Sequence, residues 1–152
     1  METITWEIPI KTVSESNCSE HWAVKSKRHR MQQFFVRAMF NRANGGIRLP
    51  CEITLTRVAL RALDDDDNLP MAFKWIKDEI GACLFPEKVV IVKKKNGKYI
   101  KNKGHADADP RVKWRYAQEK GRKYAIRVEF RALDHQKDED LTHTEHNNID
   151  RG

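Results

Sequence analysis

Cysteine is scarce in this 152-residue chain. Its three copies, Cys18, Cys51 and Cys83, lie far apart with no C-x-x-C spacing. An odd, scattered set argues against a disulfide framework or a zinc site and fits buried, reduced thiols. Long apolar runs are also missing. No stretch approaches the roughly 20 residues of a membrane helix, and the opening Met-Glu-Thr-Ile-Thr has neither the basic start nor the apolar middle of a signal peptide. The expectation is an intracellular, cytoplasmic protein. No internal repeat is found. What remains is a polar chain, 39% hydrophobic and 34% charged, of a length that favours one domain with one core.

Acid is in the minority overall, and its placement is uneven. The net charge is +7. From His135 onward five acids face two bases, so this tail carries −3 and the rest of the chain +10. A basic body points to a polyanionic partner, because Lys and Arg release counterions from phosphates. The tail, residues 135–152, reads as polar and disordered. Residues 1–134 form the expected domain.

The pattern along that domain is mixed. Thr3 to Ile8 alternates as a strand, and Lys11 to Ser19 is a polar loop. Ser19 is placed to cap a long helix from Glu20 to Asn44. Its apolar face would be Trp22, Val24, Met31, Phe34, Phe35, Ala38 and Met39. Lys25, Lys27, Arg28 and Arg30 make its start strongly basic, as expected of a phosphate-contacting surface. Cys51 to Leu63 is rich in β-branched residues and reads as a central strand. A second helix begins at Asp67 or Asn68. Leu69, Phe73, Ile76, Ile80 and Leu84 recur along it at helical spacing, and Phe85-Pro86 stops it. Lys88 to Lys103 reads as a hairpin turning on the two-residue loop Asn96-Gly97. It carries Lys93, Lys94, Lys95, Lys98, Lys101 and Lys103, a cationic finger suited to DNA. Val112 to Gln118 and Tyr124 to Leu133 complete a mixed sheet. The expected class is therefore α/β (α+β), one domain with two main helices.

The chemistry is concentrated in two acidic clusters. Asp64-Asp65-Asp66-Asp67-Asn68 sits between a strand and a helix, and Asp107 with Asp109 just precedes a strand. One Asp before a helix is an ordinary cap. Four in a row exceed that need and repel one another unless a cation is held there. An EF-hand loop fails, because a frame begun at Asp64 puts Leu69 where Gly is required and Trp75 where Glu is required. Carboxylate oxygens suit Mg²⁺ or Mn²⁺, which lowers the pKa of a bound water and offsets charge during phosphodiester hydrolysis. In extended backbone, Asp65 and Asp67 point to one side.

These residues resemble a known family. Arg61-Ala-Leu-Asp-Asp-Asp-Asp-Asn-Leu69, followed by Met71-Ala-Phe-Lys-Trp-Ile-Lys-Asp78, is similar to the D-x-D-N motif and helix of RusA-type Holliday junction resolvases. Asp107-Ala-Asp-Pro-Arg-Val-Lys-Trp-Arg-Tyr-Ala-Gln-Glu-Lys-Gly121 resembles the second acidic motif of bacteriophage-like members. Ser16-Asn-Cys-Ser-Glu-His-Trp-Ala-Val-Lys-Ser-Lys-Arg28 resembles their N-terminal segment. The pieces occur in family order from Ser16 to Phe130. The resemblance implies a homodimeric, Mg²⁺-dependent endodeoxyribonuclease of a bacterial cell or its phage. Such an enzyme nicks four-way DNA junctions in recombination and repair. In that frame Asp65, Asp67 and Asp109 are the metal ligands, with Asp107 an alternative or auxiliary one, and Asn68 takes the Asn position of the motif. The family's lysine position is Met71 here, and Lys74, one turn on, would stand in. A DNA-binding protein without nuclease activity, its acids serving as caps or partner surface, is the competing expectation. A nuclease of RNA or flaps is a third.

Other residues are weighed lower. His143 and His146 sit in the tail and read as solvated, while His105 lies near Asp107. Trp75 and Trp114 read as packing residues.

Overall fold

A computed structural model describes residues 3–133, apart from 16–18, 44–45, 64–67, 95 and 103–105. Cys18, His105, Asp64 to Asp67, Lys95 and the tail with His143 and His146 lie outside the described residues. The described fold is mixed α+β.

Four strands make the main sheet: β1 (Thr3–Ile8), β2 (Cys51–Ala59), β5 (Val112–Lys120) and β6 (Ala125–Ala132), in the order β1-β6-β2-β5. β6 runs antiparallel to both β1 and β2, whereas β5 is parallel to β2 from Cys51↔Val112 to Ala59↔Lys120. A parallel neighbour requires a crossover connection. Here it comprises α2 (Asn68–Ala72), α3 (Lys74–Leu84), and a separate two-stranded ribbon of β3 (Val90–Lys93) and β4 (Tyr99–Asn102). The 22-residue helix α1 (Trp22–Ala43) packs on α3.

Alternation along the strands builds the core. Ile53 and Leu55 of β2, Ile8 of β1, and Ile126 and Val128 of β6 are buried under the helices, beside Phe73, Ile76 and Ile80. The opposite sheet face is charged. There Glu52 accepts from Arg115 at 2.8 Å and from Arg131 at 3.0 Å. Cys51 is fully buried, and burial pushes its thiol up to about 11; Cys83 is a half-buried free thiol.

Four expectations change in detail. The central strand ends at Ala59, not Leu63. The second helix is two, broken at Phe73. The hairpin loop has three residues rather than two. Gly97 N–H bonds Lys94 O at 3.0 Å, Lys94 N–H bonds Lys98 O at 2.8 Å, and Gly97 has φ 77°. That is a turn closed by a glycine bulge, and the positive φ is why glycine stands there. The apolar face of α1 is also rotated. Gln32 and Val36 are its buried residues, while Trp22, Val24, Met31 and Phe34 are exposed.

Candidate functional site

The acidic run itself, with metal candidates Asp65 and Asp67, lies outside the described residues. Its flanks do not. Leu63 N–H donates to Gln118 Oε1 at 2.8 Å, and Gln118 Nε2 returns a bond to Leu63 O at 2.7 Å. Arg57, buried near the end of β2, donates through Nη1 to Arg61 O at 2.7 Å. Burial holds its guanidinium below the usual value. Beyond the run, Ser14 Oγ donates to Asn68 Oδ1 at 2.7 Å. Side chains from β2, β5 and the N-terminal loop thus fix both ends of the acidic segment. Sequence reading missed Ser14, Arg57 and Gln118. An Arg and a Gln that each continue an apolar alternate-residue series, Ile53-Leu55 and Trp114-Tyr116, were the available signal.

The second acidic segment is a 3₁₀ turn, Ala106–Ala108, packed against α3. Gly81 permits this approach. A Cβ there would lie 2.7 Å from Asp107 N and 2.8 Å from Asp107 Cα. Trp114 Nε1 donates to Asp107 O at 2.8 Å, as befits a packing tryptophan with a satisfied N–H. The Asp107 carboxylate is partly exposed and 4.0 Å from Lys77 Nζ, which also lies over the Trp114 ring.

Asp109 has different surroundings. It is buried. One carboxylate oxygen accepts from Arg111 N and Nε, both at 3.0 Å, and the other from Arg111 Nη2 at 3.0 Å. Lys88 Nζ approaches Oδ2 to 2.6 Å. The Arg111 guanidinium, then Lys88, hold this carboxyl well below the ordinary range. Both oxygens serve as anchors where the ribbon and β5 meet the body.

Topology separates the two acids further. Trp114 and Gln118 lie on the same inward face of β5, four residues or about 13 Å apart. The turn carrying Asp107 bonds the first, and Leu63 bonds the second. Asp109 folds back on the start of β5, since Val112 N–H bonds its carbonyl at 3.1 Å. Val112 is about 20 Å from Gln118 by the same spacing. The sequence reading placed Asp109 first among the partners of Asp65 and Asp67; the structure ties both of its carboxylate oxygens to Arg111 and Lys88. Among the described residues no three His, Cys, Asp or Glu side chains converge on a metal-sized site.

The cationic candidates divide likewise. Lys74 opens α3 and is exposed, and Lys77, which sequence reading passed over, is the lysine beside Asp107. Lys27 and Arg30 are exposed on α1. Lys25 lies 5.7 Å from the Trp75 ring, on which His29 also stacks. Arg28 is not a free cation. It binds Glu15 through Nε and Nη2 at 2.9 and 2.8 Å, and Glu20 through Nη1 at 3.0 Å. Glu15 first, then Glu20, raise its pKa, so this arginine ties the N-terminal loop to α1. Lys93, Lys94 and Lys98 are exposed at the ribbon's tip.

Comparison of the chain with protein-family models, with curated proteins and with solved structures finds no match. No described helix is long and apolar enough to cross a membrane.

Proposed function

We propose that this chain is a Mg²⁺-dependent endodeoxyribonuclease acting on branched DNA, four-way junctions in particular, as a homodimer. One observation carries most of the reading. Leu63, which leads into the acidic run, and the turn bearing Asp107 are each bonded to the same inward face of β5, by Gln118 and Trp114. Asp65, Asp67 and Asp107 would hold the ion, with Mn²⁺ an acceptable substitute for these oxygen donors. When bound, the ion supplies a water of lowered pKa and charge neutralisation. The residues do the rest: the carboxylates position it, while Lys74 and Lys77 offer positive charge to the phosphate. Lys25, Lys27 and Arg30 on α1, with Lys93, Lys94 and Lys98 on the ribbon, attract the backbone without reading sequence.

A second reading has its own support. Asp109 is a structural anchor, and if the remaining acids are too, the protein binds DNA without cutting it. A labelled four-way junction and a linear duplex incubated with Mg²⁺ separate these readings. The nuclease reading expects paired symmetric nicks, lost at least 100-fold in Asp67→Asn and Asp107→Asn while junction binding persists. Binding without cleavage by the unaltered protein favours the second reading. Cutting confined to RNA or flaps would transfer the same metal chemistry to another substrate.

A further inference from the structure

The ribbon of β3 and β4 carries more apolar surface than phosphate contact uses. Val90, Ile91, Val92, Tyr99 and Ile100 are all exposed, Ile91 to 65% and Tyr99 to 69%. The register sorts them. Directly paired residues share a face, so Val90, Val92 and Ile100 lie on one side of the ribbon, and Ile91, Lys93 and Tyr99 on the other. The second face mixes apolar and basic groups. Lys93 stands opposite Tyr99, with roughly 5 Å between paired Cβ atoms, and Ile91 is the diagonal neighbour at roughly 7–8 Å. Lys93 is exposed, as is the tyrosine. Lys94 and Lys98 follow at the tip, joined by the bond from Lys94 N–H to Lys98 O. The root of the ribbon is tied down. Lys88, two residues before β3, and Arg111 both bond the buried Asp109, so the arm leaves the body from a fixed point.

We infer that the face bearing Ile91, Lys93 and Tyr99 takes an unstacked nucleotide of the branched DNA, with the base on the Tyr99 ring and Ile91 and the phosphate on Lys93. The combination of groups selects this occupant. A nucleotide joins a flat apolar base to a nearby negative phosphate, and this face sets an open aromatic ring beside an ammonium. A continuous duplex hides its base faces in the stack and meets only the lysines. A branch point interrupts the stack and exposes base faces at little cost. A wholly apolar partner would be met better by Val90, Val92 and Ile100. A lipid surface fits poorly, because Lys94 and Lys98 at the tip would have to enter before the apolar side chains behind them. The location also suits the proposed reaction. The chain from Tyr99 to Asp107 spans at most about 29 Å, less than the roughly 34 Å of one duplex turn. Stacking accepts any base, so the contact reads structure and not sequence. The inference rests on the DNA binding in the proposed function, not on its nuclease chemistry.

Fluorescence anisotropy in EDTA, which prevents metal-dependent cleavage, tests it with a labelled four-way junction and a linear duplex. Unaltered protein is compared with Tyr99→Ala, Tyr99→Phe, Lys93→Ala and Val92→Ala. All three positions are exposed, and thermal melts within about 2 °C of the unaltered protein verify the fold. Tyr99→Ala should weaken junction binding at least fivefold, the lower end for one lost base stack, and change duplex binding less than twofold. Tyr99→Phe keeps the ring and should bind the junction within twofold of the unaltered protein, as should Val92→Ala on the opposite face. Lys93→Ala should lower the slope of log K against log[NaCl] by about one, while Tyr99→Ala leaves it unchanged. An unchanged junction affinity in Tyr99→Ala overturns the inference. So does an equal loss on both DNAs, a failure of Tyr99→Phe to restore binding, or a Val92→Ala loss as large as that of Tyr99→Ala. Tyr99-dependent flotation with phosphatidylserine vesicles at unchanged junction affinity would give the face to lipid instead. Unaltered protein that binds no junction fells the proposed function along with this inference. A junction bound through Tyr99 but never cut once Mg²⁺ is added refutes the nuclease and leaves this contact standing.

Discussion

Gly81→Ala is the sharpest test of how the second acidic segment is held. Two effects oppose each other. Alanine is the better helix former, which favours the variant by about 1 kcal/mol in the interior of α3. Against this, the new Cβ would lie 2.7 Å from Asp107 N, 2.8 Å from Asp107 Cα and 3.0 Å from Ala106 C. All three are backbone atoms, so no side chain can swing aside. Restoring ordinary contact moves the helix and turn apart by roughly 0.8 Å, and overpacking of this kind costs about 1–3 kcal/mol. A close approach to backbone belongs at the upper end, leaving a net loss of about 2 kcal/mol. For a chain of this size that lowers Tm by roughly 4–8 °C. Urea titration followed by tryptophan fluorescence measures it directly, since Trp114 bonds the displaced segment. In the proposed nuclease, cleavage should fall along with stability as Asp107 moves. A Gly81→Ala protein as stable as the original, or more so, would show that helix and turn are not in the tight contact described.

Two further perturbations follow from the ion pairs. The folded-state pKa of Asp109 is depressed, so its contribution to stability is fully present above the unfolded value of ~3.9 and is lost as pH falls below it. Asp109→Asn should therefore lower stability at pH 7 and narrow the gap to the unaltered protein towards pH 2; denaturant midpoints across that range check it, and a constant gap contradicts the assignment. Arg28→Ala strands Glu15, whose side chain is 3% exposed, and should cost roughly 3 kcal/mol by chemical denaturation. Junction affinity at a temperature where the variant is folded should change less than in Lys27→Ala; the reverse order would make Arg28 a DNA contact.

Periodicity made much of the fold legible before any coordinates. The strand at Thr3–Ile8 and the packed positions Leu69, Phe73, Ile76 and Ile80 are where apolar spacing places them, because burial of a face is a local pattern. Helix α1 was harder. Its sequence offers more apolar residues than the core accepts, so spacing could not say which side would be covered. The structure buries Gln32 and Val36 and leaves Phe34 outside. The acids were conspicuous as a composition, but their partners were not. Arg28 reads as a DNA contact until Glu15 and Glu20 fold against it, and Lys77 has no role in the sequence until the fold sets it beside Asp107.

What the chain alone determines is its inventory. It is a basic body with a concentrated acidic run, helical and strand periods in a set order, and a glycine where a tight loop needs positive φ. Which carboxylate is spent on structure and which stays open was decided only by tertiary packing. Asp107 and Asp109 are two residues apart and chemically identical. One meets Arg111 and Lys88 in a buried pocket, and the other turns out towards α3. The energy of a charge depends on the solvent and the counter-charges around it, and those come from residues distant in sequence.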